Sequence, residues 1–343
     1  MEVKANKDAR TCVLVLRFSA LGDVAMVAAT LHEIAAAHRH VEFMAVSQPF
    51  MAPLFNGPDN VSCIAVDIHG RYNGLRGLWK LFLKLRDLRP DVVVDAHDVL
   101  RTQVLRLLFR LSGVKVVKID KGRREKRQLT RRKNKELHPV KTMIERYREI
   151  LNAAIGGQAA TTGEVPRPAP AAPKEGGKCL GIAPFARYKG KCYPTSRMEK
   201  IVAHFSAYDD VEVYLFGGGA EEVKVLSEWE KKYHVVSMAG KTSLGNELIK
   251  LRGMDVVLSM DSANMHLASF VGVPVVSVWG ATHPFAGFTG WKQASENCVQ
   301  IELPCRPCSV FGNKPCYRGD YACMNIPEEI LIAQLKKNLQ LNK

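Results

Sequence analysis

Short apolar runs recur along the chain, separated by stretches with helical spacing, and the two alternate almost without interruption. Thr11–Arg17 has the continuous apolar character of a strand covered on both faces, and Phe18–Asp23 is a tight loop that opens a helix over Val24–His38. Strand-like runs follow at Glu42–Val46, Ser62–Val66, Asp91–Asp95 and Val114–Ile119, interleaved with helical stretches at Leu75–Leu88, Val99–Leu111 and Val140–Ala154. Gly156–Lys178 is dense in Pro, Gly and Ala without an apolar period, which marks a linker. From Cys179 the alternation restarts. Strands are predicted at Cys179–Ala183, Val211–Phe216, Val235–Met238, Val256–Met260 and Val275–Trp279, with helices near Met198–Ala207, Glu221–Tyr233, Leu244–Leu251 and Asn264–Val271. Alternation of this kind builds parallel sheets. The expected fold is therefore α/β, with two doubly wound, Rossmann-like domains (1–155 and 179–326) joined by the linker 156–178 and flanking a cleft. A final helix, Pro327–Leu341, follows, with packing onto the second domain or back onto the first both open.

Within that alternation, Met254–His283 is the most structured stretch. An apolar strand ends in Asp261, a helix begins at once, Gly272-Val273-Pro274 stops it, and a second apolar strand ends at Gly280. In an open parallel sheet ligands gather outside the carboxyl ends of strands, where helix N-termini direct unpaired N–H groups at anions. Two adjacent strand ends thus nominate one anion site.

Length and charge refine this picture. The 343 residues exceed one ordinary core and suit two domains. A net charge of +15 implies an anionic partner. Much of the excess lies in Lys115–Lys135, which holds eleven Lys or Arg against Asp120 and Glu125. This run reads either as a solvated loop or as a surface for an anionic lipid head group or membrane, with Arg123 and Arg124 as acceptor contacts. Aromatic residues are absent from Lys115 to Glu145, which counts against nucleic acid. No run approaches the roughly 18 apolar residues of a membrane span, and Val13–Leu16 is too short for a secretory signal core. A cytoplasmic protein, peripheral at most to the inner face of the membrane, is the expectation.

Several residues carry candidate chemistry. Asp23 follows Gly22 at a helix start, so it is either a partner of the helix dipole or a general base. Lys189 and Lys191 lie beyond the strand Cys179–Ala183, where a diphosphate needs neutralising. Glu221 follows Gly217-Gly-Gly219 and either complements the dipole or accepts ribose hydroxyls. Asp261 is an N-cap or part of a pyrophosphate site with Ser262, Ala263 and His266. No Asp-x-Asp pair occurs, so cationic side chains and a helix end carry the leaving-group charge in this reading and no divalent metal is called for. Cys305, Cys308, Cys316 and Cys323 form a local cluster of which only the first pair has zinc-ribbon spacing; reduced thiols, zinc and disulfides are all open.

Ser19-Ala-Leu-Gly22-Asp23, Lys191-Cys-Tyr-Pro194, Gly219-Ala-Glu221, Ala239-Gly-Lys-Thr-Ser-Leu244, Asp261-Ser-Ala-Asn-Met-His266 and Gly272–Gly280 together resemble the lipopolysaccharide heptosyltransferases, glycosyltransferase family 9. The resemblance spans nearly the whole chain, to Cys323-Met-Asn-Ile-Pro327. It implies a GT-B fold, with acceptor binding in the first domain and nucleotide-sugar binding in the second. It further implies an inverting, metal-independent transfer from a nucleotide sugar, typically ADP-heptose, to an anionic lipopolysaccharide core, with no bound cofactor. Asp23 then corresponds to the base, with Ser19 and Gly22 beside the acceptor. Lys191, Asp261, Ser262, Ala263 and His266 correspond to the diphosphate and sugar contacts, and Glu221 to the nucleoside contact. Rival readings are a GT-B enzyme for another nucleotide sugar, including an epimerase, and a non-catalytic binder of nucleotide or anionic lipid.

Overall fold

The computed structural model describes residues 11–157 and 177–341. Its first sheet has the order β3-β2-β1-β4-β5, all parallel, from β1 (Thr11–Leu16), β2 (Val41–Ser47), β3 (Val61–Ala65), β4 (Val92–Asp95) and β5 (Lys115–Lys118). The chain winds outward from β1 to β3 and then crosses back to β4. The strand order therefore reverses between β1 and β4, where a crevice opens at the carboxyl edge. Helices α1 (Leu21–Ala37), α2 (Gly74–Arg86) and α3 (Leu100–Leu111) are the crossovers. Leu14 and Leu16 of β1 share one core with Leu78, Leu81 and Phe82 of α2 and with Leu105 and Phe109 of α3.

The second sheet repeats the scheme in the order β11-β10-β9-β6-β7-β8. Its strands are β6 (Lys178–Ala183), β7 (Val211–Leu215), β8 (Val236–Ser237), β9 (Val256–Met260), β10 (Val275–Val278) and the two-residue β11 (Cys298–Val299). Here the reversal falls between β6 and β9. In the chain, the short α4 (Arg123–Leu129) and the longer α5 (Met143–Ile155) come before β6; α6 (Thr195–Ser206), α7 (Ala220–Tyr233), α8 (Leu244–Arg252), α9 (Ala263–Phe270) and α10 (Glu328–Leu339) follow it.

The chain divides into compact units that do not follow the sequence boundary: the first runs to Lys121 and resumes at Ile144, while Gly122–Met143 belongs to the second. The reason is specific packing. Leu129 and Val140 bury against Ala286, flanked by Phe285 and Phe288, and the Val140 and Met143 N–H groups donate to the Phe285 and Gly287 carbonyls at 2.9 and 2.8 Å. Lys126 lies 4.2 Å over the Phe288 ring, and Lys135 Nζ donates to the Cys305 and Pro307 carbonyls at 2.8 and 2.9 Å. Most of the basic run, eight of its eleven Lys or Arg, is thus part of the second unit, including Arg123 and Arg124. Helix α10 packs within the second unit. Its stripe Leu331, Leu335 and Leu339 is buried in the second unit's own core, and Glu328 at its start pairs with Arg197 and Lys200 of α6. The linker 156–178 lies outside the described residues except at its ends.

Candidate functional site

At the carboxyl edge of the first sheet, Arg17 directly follows β1 and α1 begins four residues later. Asp23 stands in the first turn of α1. Its Oδ2 is 2.7 Å from Arg17 Nη2, and its Oδ1 accepts a long bond from the Tyr147 hydroxyl at 3.5 Å. Arg17 is itself buried and donates through Nη1 to the Ala96 carbonyl at 2.7 Å, which fixes the guanidinium between β1 and β4. Burial, reinforced by the Asp23 charge, pushes the Tyr147 phenol well above its usual range, so it is a neutral donor. The Asp23 side chain keeps 26% of its surface exposed, enough for a ligand to reach it.

The facing strand end holds an interlocked loop. Asp95, fully buried at the end of β4, accepts from the His97 and Asp98 N–H groups at 3.0 and 2.7 Å and pairs with Arg106 at 3.0 Å. His97 lies over this loop toward β1. The Phe18 N–H points at its Nδ1 (3.5 Å), which leaves the ring proton on Nε2, 3.4 Å from Ser19 Oγ. Burial, with help from the positive charges of Arg17 and Lys121, pushes the His97 pKa down to about 3, so the ring is neutral. Ser19 is half-buried beside it, and Gly22 is buried in the first turn of α1.

At the second sheet's reversal, Lys191 Nζ and Asp261 Oδ2 form a 2.9 Å ion pair that joins the loop after β6 to the end of β9. Thr282 Oγ1 donates to the same oxygen at 2.7 Å. Three glycines let the backbones come this close. A Cβ on Gly190 would stand 2.8 Å from Ala281 Cβ, one on Gly280 2.6 Å from the Gly190 carbonyl, and one on Gly312 2.7 Å from Lys191 Cγ. Behind them the buried Arg306 donates to the carbonyls of Trp279 and Thr282 at 3.1 and 2.9 Å and so holds the loop that carries Thr282. Ser262 is the N-cap of α9, Ala263 its first residue and His266 its fourth, buried within the helix's first turn.

Other nominated residues are placed differently. Lys189 is exposed and lies over the Tyr321 ring at 5.0 Å, apart from the Lys191–Asp261 pair. Glu221 is exposed in the first turn of α7, whereas its neighbour Glu222 accepts the Gly218 N–H at 2.8 Å. Arg123 and Arg124 sit on α4, in the second unit. Among the described residues no three Cys, His, Asp or Glu side chains are placed to hold a metal ion. Cys305, Cys308, Cys316 and Cys323 are free thiols. The Cys308 sulfur faces the Ala281 carbonyl, the Cys316 sulfur faces Asp320, and Cys323 is buried, with the other three near enough to act on its thiol electrostatically. Burial pushes the Cys323 thiol up to about 11.

Sequence reasoning missed Arg17, His97, Tyr147, Thr282 and Arg306. Arg17 and His97 carried a usable signal. Arg17 closes an apolar strand at its carboxyl end, and Asp95-Ala-His97-Asp98 follows another apolar strand much as Asp261 follows β9. Tyr147 and Arg306 come from distant positions in the chain and carried none.

The chain was then compared with known proteins. The family model for glycosyltransferase family 9 (heptosyltransferase) matches residues 78–316. Lipooligosaccharide heptosyltransferase 2 of Campylobacter jejuni is 26% identical over 171 residues, 48% of this chain, which spans about half (52%) of that relative. Lipopolysaccharide heptosyltransferase 1 of Pseudomonas aeruginosa is 24% identical over 315 residues, 86% of this chain and 85% of the relative. Among solved structures, a glycosyl transferase family 9 protein from Veillonella parvula superposes with a TM-score of 0.75 at 17% identity, covering 99% of this chain and all of that one. The E. coli heptosyltransferase WaaC, solved with ADP and with ADP-2-deoxy-2-fluoro heptose, gives 0.66 at 18%, covering 96% and 100%. These structures share the two-domain GT-B fold.

Proposed function

The chain belongs to glycosyltransferase family 9, and from that premise we propose that it moves a heptose from ADP-heptose onto an anionic lipopolysaccharide-core acceptor. The observation that carries this reading is that each sheet reversal bears the group one half of the reaction needs. The first has the Asp23 carboxylate held by Arg17 and Tyr147; the second has the Lys191 side chain beside a helix N-terminus. Asp23 takes the proton of the acceptor hydroxyl as it attacks the anomeric carbon, and the bond to the diphosphate breaks on the opposite face, inverting the configuration. Ser19, oriented by His97, offers the acceptor a second hydrogen bond. Lys191 and the amides of Ser262 and Ala263 hold the departing diphosphate, with Asp261 and Thr282 fixing Lys191. In this mechanism no step is routed through a metal or a cofactor. Glu221, exposed at the start of α7, is assigned to the nucleoside, and His266 to the sugar. Transfer takes place at the inner face of the cytoplasmic membrane, where such an acceptor resides.

The test is transfer from ADP-heptose to a lipopolysaccharide-core acceptor. Asp23→Asn is expected to slow transfer by about 10²–10⁴-fold, the range of a lost general base, while ADP binding by calorimetry stays unchanged. Turnover of that variant close to the unaltered protein's, or ADP binding without transfer to any core acceptor, would falsify the reading.

A further inference from the structure

Helices α2 and α3 pack side by side, and their inner stripes are consumed by the first core. Their outer stripes are not polar. Leu75 and Trp79 of α2, four residues apart, are 76% and 51% exposed; Leu100, Leu107 and Leu111 of α3, at spacings of seven and four, are 77%, 57% and 77% exposed. Half-buried Leu83, Val104 and Leu108 extend the apolar surface toward the core. Isolated exposed leucines are ordinary, but five large apolar side chains on one helix pair form a patch that a partner normally covers.

Charge identifies the partner. Neither α2 nor α3 contains an acidic residue, while together they carry Arg76, Lys80, Lys84, Arg86, Arg101, Arg106 and Arg110. Arg106 is engaged by Asp95 and Asp98, and Arg86 and Lys84 lie over the Phe82 and Tyr72 rings. Arg76, Lys80 and Arg110 remain exposed around the apolar stripe. Leucine and tryptophan bordered by cations of one sign is the composition of a helix face that lies in a membrane interface. A second copy of the chain fits poorly, because a twofold contact through this patch would set like charges against each other.

We infer that the outer face of α2 and α3 docks on an anionic bilayer. This deepens the proposed function and rests on it in one respect. α3 opens at Leu100, three residues after His97, so the patch borders the edge that carries Asp23, and docking would bring that edge to the depth of an amphiphile's head group.

The experiment uses the full chain with phosphatidylethanolamine vesicles, with and without phosphatidylglycerol. Trp79 is the reporter, because Trp229, Trp279 and Trp291 are all buried. The protein should float with the phosphatidylglycerol vesicles, with a blue-shifted emission that Trp79→Phe removes. Leu107→Glu/Leu111→Glu should weaken flotation by about tenfold or more with an unchanged melting temperature, since both side chains are exposed. That variant should still glycosylate a soluble, lipid-free core acceptor at the normal rate. Unaltered vesicle binding by the variant, equal binding with and without phosphatidylglycerol, or no binding at all overturns the inference. A dimer that the variant breaks overturns it by assigning the face to a second copy. If no form transfers heptose yet vesicle binding depends on these residues, the docking surface stands and the proposed reaction falls.

Discussion

Arg17 governs what Asp23 can do. A buried guanidinium 2.7 Å from a carboxylate holds that carboxylate in one orientation. Orientation matters for a base that must meet a hydroxyl in one geometry. Arg17→Ala is therefore expected to lower kcat by roughly 10²-fold. Arg17→Lys should recover part of the loss, because an ammonium supplies the charge but cannot hold Asp23 and the Ala96 carbonyl from one rigid fork. A steady-state comparison of the two variants decides this; an Arg17→Ala enzyme as fast as the parent would show that Asp23 needs no such partner. Histidines give a second prediction. Burial depresses His32 and His283 to about 4 and His97 to about 3, against about 6.5 in the unfolded chain. Below pH 6.5 the unfolded chain takes up protons that the fold refuses, so this stability is complete above pH 6.5 and is lost progressively as pH falls toward 4. Between pH 6.5 and about pH 5 each histidine contributes a loss of at most about 2 kcal/mol. Urea titrations at those two pH values should show the loss, and His97→Gln should reduce it.

Among the elements, those that carry their own periodicity were legible and those that depend on distant partners were not. The long apolar strands and amphipathic helices of both units stand where their spacing places them, because burial on one or two faces leaves a period in the sequence. The two-residue β11 leaves none. Short, basic α4 resembles a solvated loop until Leu129 and Lys126 find Ala286 and Phe288 in the second unit. At the candidate site the strand-end residues Asp23, Lys191 and Asp261 were readable from their positions, whereas Tyr147, Thr282 and Arg306 entered through tertiary packing. The attachment of 122–143 can be tested at Gly287, which has φ +78° and lies where a Cβ would stand 2.8 Å from Thr142 Cα and 2.9 Å from the Lys141 carbonyl. Gly287→Ala should cost about 2–3 kcal/mol, combining backbone strain with the clash. Gly319→Ala, at φ +80° with open space around it, should cost only about 1 kcal/mol. Equal losses by denaturant titration would mean that the segment is not held at Gly287.

For the molecule as a whole, two units with separate cores need not melt together, and a ligand that binds one of them separates their transitions. Lys191, Asp261, Ser262 and His266 all belong to the second unit, and Asp23, Ser19 and Gly22 to the first. If ADP occupies the second unit, its presence at 100 times its dissociation constant should stabilise that unit by about 2.7 kcal/mol without directly strengthening the first. The distribution of tryptophan makes this measurable: in Trp79→Phe the remaining tryptophans, Trp229, Trp279 and Trp291, are buried in the second unit. Fluorescence then follows the second unit alone, while circular dichroism follows both. ADP should move the fluorescence transition upward, and Lys191→Ala should reduce that movement. In this variant the change is a compound one, because removing the ammonium takes from Asp261 its ion-pair partner and leaves it the Thr282 hydroxyl. Lys191→Met/Asp261→Asn removes both charges and isolates the loss of the cation. A fluorescence transition unmoved by ADP, with the circular dichroism transition shifted, would place the nucleotide on the first unit and reverse the assignment of donor and acceptor.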